Sequence, residues 1–195
     1  KDKQLENLYI LPASQTRDKD ALTDDGVAEV MDELSKQFDY IICDSPAGIE
    51  RGAQLAMYHA DEAIIVTNPE ISSVRDSDRI IGILQSQTKK VIENQGTVRE
   101  HLIITRYNAD RAAANEMMDI DTISNDILKV PLLGVVPESH SVLEASNHGE
   151  PVIHYTDSVA GQCYDDIVAR FLGEERPLRH IDVKKKSLLQ RWFGG

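Results

Sequence analysis

The sequence predicts an α/β protein with a doubly wound, mostly parallel sheet, and three observations carry that reading. Short β-branched runs alternate with longer stretches of helical period, without internal repeats or low-complexity blocks. The runs are nearly all apolar, which suits parallel strands covered on both faces, whereas half-exposed antiparallel strands alternate. The chain has 195 residues, 41% apolar and 28% charged, an ordinary globular balance with enough chain for one domain or two small ones.

Strands are expected at Leu8 to Leu11, Tyr40 to Cys43, Ala63 to Thr67, His101 to Thr105 and Leu132 to Val136. The β-α order implies right-handed crossovers. Val27, Val30, Met31 and Leu34 follow the i, i+3, i+4, i+7 rule, with Thr23 as N-cap before an acidic first turn. A longer helix is expected over Ser72 to Ile92, burying Ile80, Ile81, Leu84 and Val91. Shorter helices are expected at Gly52 to Tyr58, Thr122 to Leu128 and Val142 to Asn147. A last helix, Val159 to Leu172, carries Cys163, Ile167, Val168, Phe171 and Leu172. Asn94 to Val98 reads as a surface loop, and Gly173 to Pro177 as the stop that ends the globular part.

The formal charge is −12, which disfavours a general nucleic-acid binder. The last twelve residues alone carry +4, so they form a separate electrostatic object. Cys43 and Cys163 are far apart and make neither a disulfide framework nor a CxxC site, which fits a reducing compartment. The six histidines, His59, His101, His140, His148, His154 and His180, never fall at HxH or HExxH spacing, so solvated or hydrogen-bonded roles are expected over metal binding. Neither an 18-residue apolar run nor a signal-peptide pattern is present in the sequence. The first residue is Lys1 rather than Met, from which a fragment or processed product is expected.

In open α/β sheets ligands bind at the carboxyl ends of strands. The residues there are Pro12-Ala13-Ser14, Asp44-Ser45-Pro46-Ala47-Gly48, Thr67-Asn68-Pro69-Glu70, Thr105-Arg106-Tyr107-Asn108 and Val136-Pro137-Glu138. Four of the seven prolines stand just beyond a strand, where fixed φ stiffens a loop and the missing N–H costs little. Asp44 ends an apolar run, where a carboxylate can hold a metal-bound water beside phosphates. An acid at a strand tip also caps turns, and that reading stays open for Asp44 taken alone. No GxxxxGK[ST] or GxGxxG string occurs, so these residues offer an acid for a metal but no Gly-rich cradle for a triphosphate.

Taken in order, Asp44 to Gly48, the run Thr67-Asn68-Pro69-Glu70-Ile71-Ser72-Ser73-Val74-Arg75-Asp76-Ser77-Asp78, Thr105 to Asn108 and the basic tail resemble the MinD family. These are septum site-determining ATPases of the ParA/MinD class with a deviant Walker A loop. The likeness covers essentially the whole chain and resembles the carboxyl-terminal part of such a protein, without the Walker A loop and switch I acid. It implies a P-loop NTPase-like fold and ATP hydrolysis by the complete family member, with ATP and Mg²⁺ as cofactors. Asp44 would be the Walker B acid that places Mg²⁺ through water, and Ser45 to Glu50 the switch II loop. Asp44 and Ser45 are thus the catalytic candidates. Arg106, Asn108, Pro137 and Glu138 would surround the adenine, with Glu70 near the nucleotide of an ATP-bound homodimer. Ser72, Arg75, Asp76 and Asp78 would form the surface where MinC and MinE compete. By sequence alone, those four make an ordinary solvated helix face. For this chain the resemblance implies impaired ATP binding and, through an uncovered sheet edge, poor solubility.

The tail carries its own signal. On a helical wheel of KKKSLLQRWFGG, Leu188, Leu189, Trp192 and Phe193 fill an arc of about 140°. Lys184 and Arg191 flank one side and Lys186 the other, with Lys185 adding charge, the pattern of a helix lying in an anionic bilayer interface. Docking back on the domain and nucleic-acid binding are the competing readings. Burying four large apolar side chains supplies roughly 5 kcal/mol before ordering costs, so one tail binds weakly and pairing two in a dimer multiplies the affinity. The expected organisation is an ATPase domain over residues 1–177, a linker over 178–183 and a membrane-targeting helix over 184–195. The expected location is the cytoplasm and the cytoplasmic face of the inner membrane. Two alternatives remain: a ParA-type partition ATPase, against which the aromatic tail argues, and a nucleotide-independent membrane adaptor. An iron-sulfur carrier of the same class would need paired cysteines.

Overall fold

The computed structural model describes residues 1–2, 5–12, 23–45, 48–179 and 181. It divides into two compact units, Lys1–His59 and Ala60–Gly195.

In the first unit, helix α1 spans Asp24–Ser35, and the Thr23 hydroxyl accepts the Gly26 N–H at 3.1 Å as the expected N-cap. Val27, Met31 and Leu34 are half-buried, whereas Val30 is exposed. Helix α2 spans Arg51–Tyr58 and buries Ala53 and Met57. An ion pair from Arg51 to Asp24 at 3.1 Å and an edge-to-face contact between Tyr9 and Phe38 join distant parts of this unit. The strands expected at Leu8 to Leu11 and Tyr40 to Cys43 do not form among the described residues. Ile10, Leu11, Tyr40 and Ile42 are exposed, Ile42 at 91%. A strand satisfies its backbone only through a neighbour, and these two segments pair with none of the described strands.

In the second unit, β1 (Glu62–Thr67), β2 (Arg99–Tyr107) and β3 (Leu132–Pro137) form a parallel sheet in that order. The α/β class is therefore as expected, with three of the five expected strands formed in parallel. β2 and β3 are buried through their centres, but β1 alternates: Ile65 and Thr67 are buried while Ile64 and Val66 are exposed. α3 (Ile71–Leu84) packs against β1, and the side of β1 that carries Ile64 and Val66 is left exposed. Helix α3 buries Val74, Ser77, Ile81 and Leu84.

The single helix expected over Ser72 to Ile92 is two, α3 and α4 (Lys89–Ile92). Between them the Ser86 and Thr88 hydroxyls donate to the carbonyls of Gly82 and Leu84, at 2.6 and 3.2 Å. Such bonds satisfy chain-terminal carbonyls and let a polar run leave the helix. After β2 come α5 (Ala109–Ala113), which the sequence reading missed, and a π-helical turn, Thr122–Ile127, where an α-helix was expected. Helix α6 (His140–His148) ends on Gly149 at φ 69°, a left-handed cap that glycine adopts without strain.

Helix α7 (Val159–Phe171) lies on β3. Ile103, Leu133, Val136, Ala160, Cys163 and Ile167 form the core between them. Gly134 permits this approach, because a Cβ there would collide with the Ile167 side chain. Val168 and Leu172 of the expected apolar set face solvent instead, and Asp166 takes a buried position.

Candidate functional site

The carboxyl end of the three-stranded sheet gathers most of the residues singled out in the second unit. β2 runs two residues past Thr105, so Arg106 lies within the strand rather than after it. The register slips between Ile104 and Tyr107, and Arg106 takes φ 55° there with an exposed side chain. This irregularity turns the end of β2 and re-aims its side chains. Tyr107 pairs with Pro137, and the Glu138 N–H donates to the Tyr107 carbonyl at 3.0 Å. Arg106, Asn108, Pro137 and Glu138 are thereby brought to one edge by backbone pairing.

Asn108 is the N-cap of α5, its side-chain oxygen accepting the Arg111 N–H at 3.2 Å. Its own N–H donates to the Met117 sulfur at 3.4 Å, and the Met118 N–H donates to the Pro69 carbonyl at 3.3 Å. The segment after β2 thus folds back over the sheet end and ties it to the loop after β1. The Thr105 hydroxyl donates to the Thr67 carbonyl at 3.3 Å, a second tie between the same strands. Glu70 is exposed and caps the start of α3 without a side-chain bond.

Below this edge Tyr107 is buried. Burial first, and then the charges of Asp119 and Asp121, push its phenol up, so it stays a neutral donor. Asp119 is held below the usual carboxylate range by accepting the Thr122 hydroxyl at 2.7 Å and the Thr122 N–H at 2.9 Å. These groups rigidify the rim. Asp119, Thr122 and Met117 went unmarked in the sequence because their roles arise from the fold-back, not from a strand end.

Asp44 and Ser45 belong to the first unit, where both residues are exposed. Among the described residues no three His, Cys, Asp or Glu side chains cluster as a metal cage. Pro46 and Ala47 of the expected switch loop lie outside the described residues, as do Lys184, Lys185, Lys186, Leu188, Leu189, Arg191, Trp192 and Phe193.

Ser72, Arg75, Asp76 and Asp78 are all exposed, on the flank of α3 away from Val74 and Ile81. Asp76 pairs with Arg79 at 3.6 Å, an exposed i,i+3 contact of small energy. Among the described residues no helix is long and apolar enough to cross a membrane.

A family model described as the CobQ/CobB/MinD/ParA nucleotide binding domain matches residues 2–152. The chain is 61% identical over 198 residues to the septum site-determining protein MinD of Neisseria meningitidis serogroup B, covering all of this chain and 72% of that protein. Among solved structures it is similar to the MinC:MinD cell division protein complex of Aquifex aeolicus. There the TM-score is 0.67 and the identity 36%, over 80% of this chain and 60% of that one. It is also similar to the septum site-determining protein MinD complexed with Mg-ADP from Pyrococcus horikoshii, with TM-score 0.60 and 28% identity over 77% and 58%.

Proposed function

The chain belongs to the septum site-determining MinD family of cell-division proteins, and we propose that it serves an ATP-driven membrane switch that recruits MinC to the inner membrane. The observation that carries this reading is the edge built by Arg106, Asn108, Pro137 and Glu138 at the end of β2 and β3. A rigid, partly apolar rim with one amide side chain suits a purine base. The Asn108 oxygen is already occupied by its cap, which leaves the amide N–H groups for a ligand. Pro137 offers a flat apolar surface beside it. Solved relatives bound to Mg-ADP and to MinC support nucleotide and partner.

In this reading Asp44 holds Mg²⁺ through a water, and Ser45 to Glu50 respond to the terminal phosphate. Glu70 lies near the nucleotide of a face-to-face homodimer. Bound ATP supplies the phosphoryl bond whose loss resets the switch, and MinE stimulates that step. The exposed flank of Ser72, Arg75, Asp76 and Asp78 receives MinC and MinE in competition. The tail over residues 184–195 attaches the protein peripherally to anionic lipid on the cytoplasmic face, after a domain over 1–177 and a linker over 178–183. Weak attachment by one tail becomes firm when dimerisation presents two.

The test is co-sedimentation with anionic liposomes, with and without ATP-Mg. The 195-residue chain holds no Gly-rich phosphate loop, so equal pelleting in both conditions is expected. Pelleting is expected to disappear on Leu189→Glu with Trp192→Glu. ATP-enhanced pelleting would show that the chain grips nucleotide by other means. Absence of pelleting would remove the tail from the mechanism and, with it, the second reading, a nucleotide-independent adaptor.

A further inference from the structure

At the opposite end of the sheet, α7 carries two polar hooks four residues apart. Asp166 is 1% exposed, and its Oδ1 accepts the Arg179 Nη2 at 2.6 Å, with Arg176 Nη1 at 3.8 Å. Arg170 donates through Nε to the Leu133 carbonyl of β3 at 2.6 Å. Its Nη1 donates to the Arg176 and Pro177 carbonyls at 3.2 and 3.1 Å. One hook therefore grips a side chain of the segment after α7, and the other grips its backbone. Glu174 adds a bond from Arg176 at 2.9 Å, which shapes the segment internally. A buried carboxylate on an otherwise apolar helix face is expensive unless paired, and here its partner comes from thirteen residues further on. The apolar alternative at this position would pack at no such cost, so the acid is explained by what it holds.

We propose that Asp166 and Arg170 form a clamp that straps residues 174–179 to the amino end of β3, fixing where the carboxyl-terminal anchor leaves the domain. The clamp rests on the tail's being the membrane anchor only for its purpose, not for its geometry. β3 runs from Leu132 to Pro137, so Leu133 marks the end of the sheet opposite Pro137 and Glu138. The strapped segment, residues 174–179, thus lies on the side away from the candidate nucleotide edge. With the clamp closed, the tether to residue 184 is counted from Arg179; with it open, from Gly173. Asp166 Oδ2 has no hydrogen-bond partner among the described residues, so the carboxylate is only half satisfied.

Trypsin reads the clamp without membranes. The bond after Arg176 precedes Pro177 and resists cleavage, whereas the bond after Arg179 is cut only when that side chain is released. Asp166→Asn removes the buried charge and leaves the part-exposed Arg179 guanidinium to water, and is expected to speed cleavage after Arg179 about tenfold, with cleavage within Lys184 to Lys186 unchanged as the internal reference. Arg170→Lys keeps the charge but loses the forked carbonyl contacts, and is expected to speed it about threefold. Should Asp166→Asn fail to give a native circular dichroism spectrum, Arg170→Lys decides alone. Parent-like cleavage after Arg179 in a folded variant overturns the clamp. Liposome pelleting is read separately: a longer tether lowers paired-tail affinity by about threefold. Parent protein that never pellets removes the anchor reading while leaving the clamp to the protease result.

Discussion

The two units of the chain treat similar apolar patterns in opposite ways. In Ala60–Gly195, Ala63 to Thr67, His101 to Thr105 and Leu132 to Val136 become paired strands around a core of Ile103, Leu133, Val136 and Ile167. In Lys1–His59, Leu8 to Leu11 and Tyr40 to Cys43 carry the same kind of sequence and form no strand among the described residues, yet α1 forms in full between them. A helix closes its hydrogen bonds within itself and needs only a cap and a suitable period, whereas a strand is completed by another strand. An apolar run is thus a statement about what a segment needs, and a helical period with a cap is closer to a statement about what it does.

Hydrogen exchange is the strongest way to break that comparison. Amides of Leu102 to Ile104, at the middle of the sheet, are expected to exchange roughly 10³-fold or more slowly than those of Tyr40 to Cys43. Equal protection in both segments would mean that Tyr40 to Cys43 is paired in solution.

Thiol chemistry gives a smaller contrast. Cys43 is exposed, while Cys163 is 3% exposed in the core, so a chromogenic disulfide should modify Cys43 about a hundredfold faster. Desolvation by the surrounding protein pushes both thiols up, for Cys43 even though its side chain reaches solvent, and Asp166 pushes Cys163 up further against the opposing Arg179 and Arg170. Reaction at Cys43 is therefore expected to keep climbing with pH beyond the ordinary thiol range. For Cys163 the raised folded value means that its protonated form is favoured by the fold. That contribution to stability is present below the unfolded thiol value and lost as pH rises through the folded one. Unfolding curves at increasing alkaline pH, with Cys163→Ala as the comparison, check the sign.

The smallest effect concerns α1. Thr23→Ala is expected to cost about 1 kcal/mol, read as faster exchange at Gly26 and the first turn. No change there would mean that packing, not the cap, holds the helix.

What was legible in the sequence follows the same division. Thr23 as cap, the start of α7, the carboxyl end of β1 and the amino end of β3 could all be read because each depends on local rules. The break before Thr88 was missed because it turns on hydroxyl bonds to carbonyls four residues back. The fold-back from Asn108 to Met118 was missed because its partners, Met117 and Pro69, are chosen by the assembled edge. Asp166 had a faint signature, an acid three residues after Cys163 on the apolar stripe, but its meaning depended on Arg179. At the candidate site, Asn108 and Pro137 stand just beyond or at the end of their strands, as a strand-end rule anticipates. Arg106 stands one step inside, because the register slip lengthens β2.

That slip also has a use at the bench. At φ 55°, Arg106 occupies a backbone region that side chains enter at a cost of about 1 kcal/mol or more. Glycine would remove the guanidinium and the cost together, with its greater unfolded freedom offsetting the relief. Most site substitutions confound a lost interaction with a damaged scaffold. Here the backbone supplies its own control, because any defect of Arg106→Gly in ligand response is a property of the missing side chain.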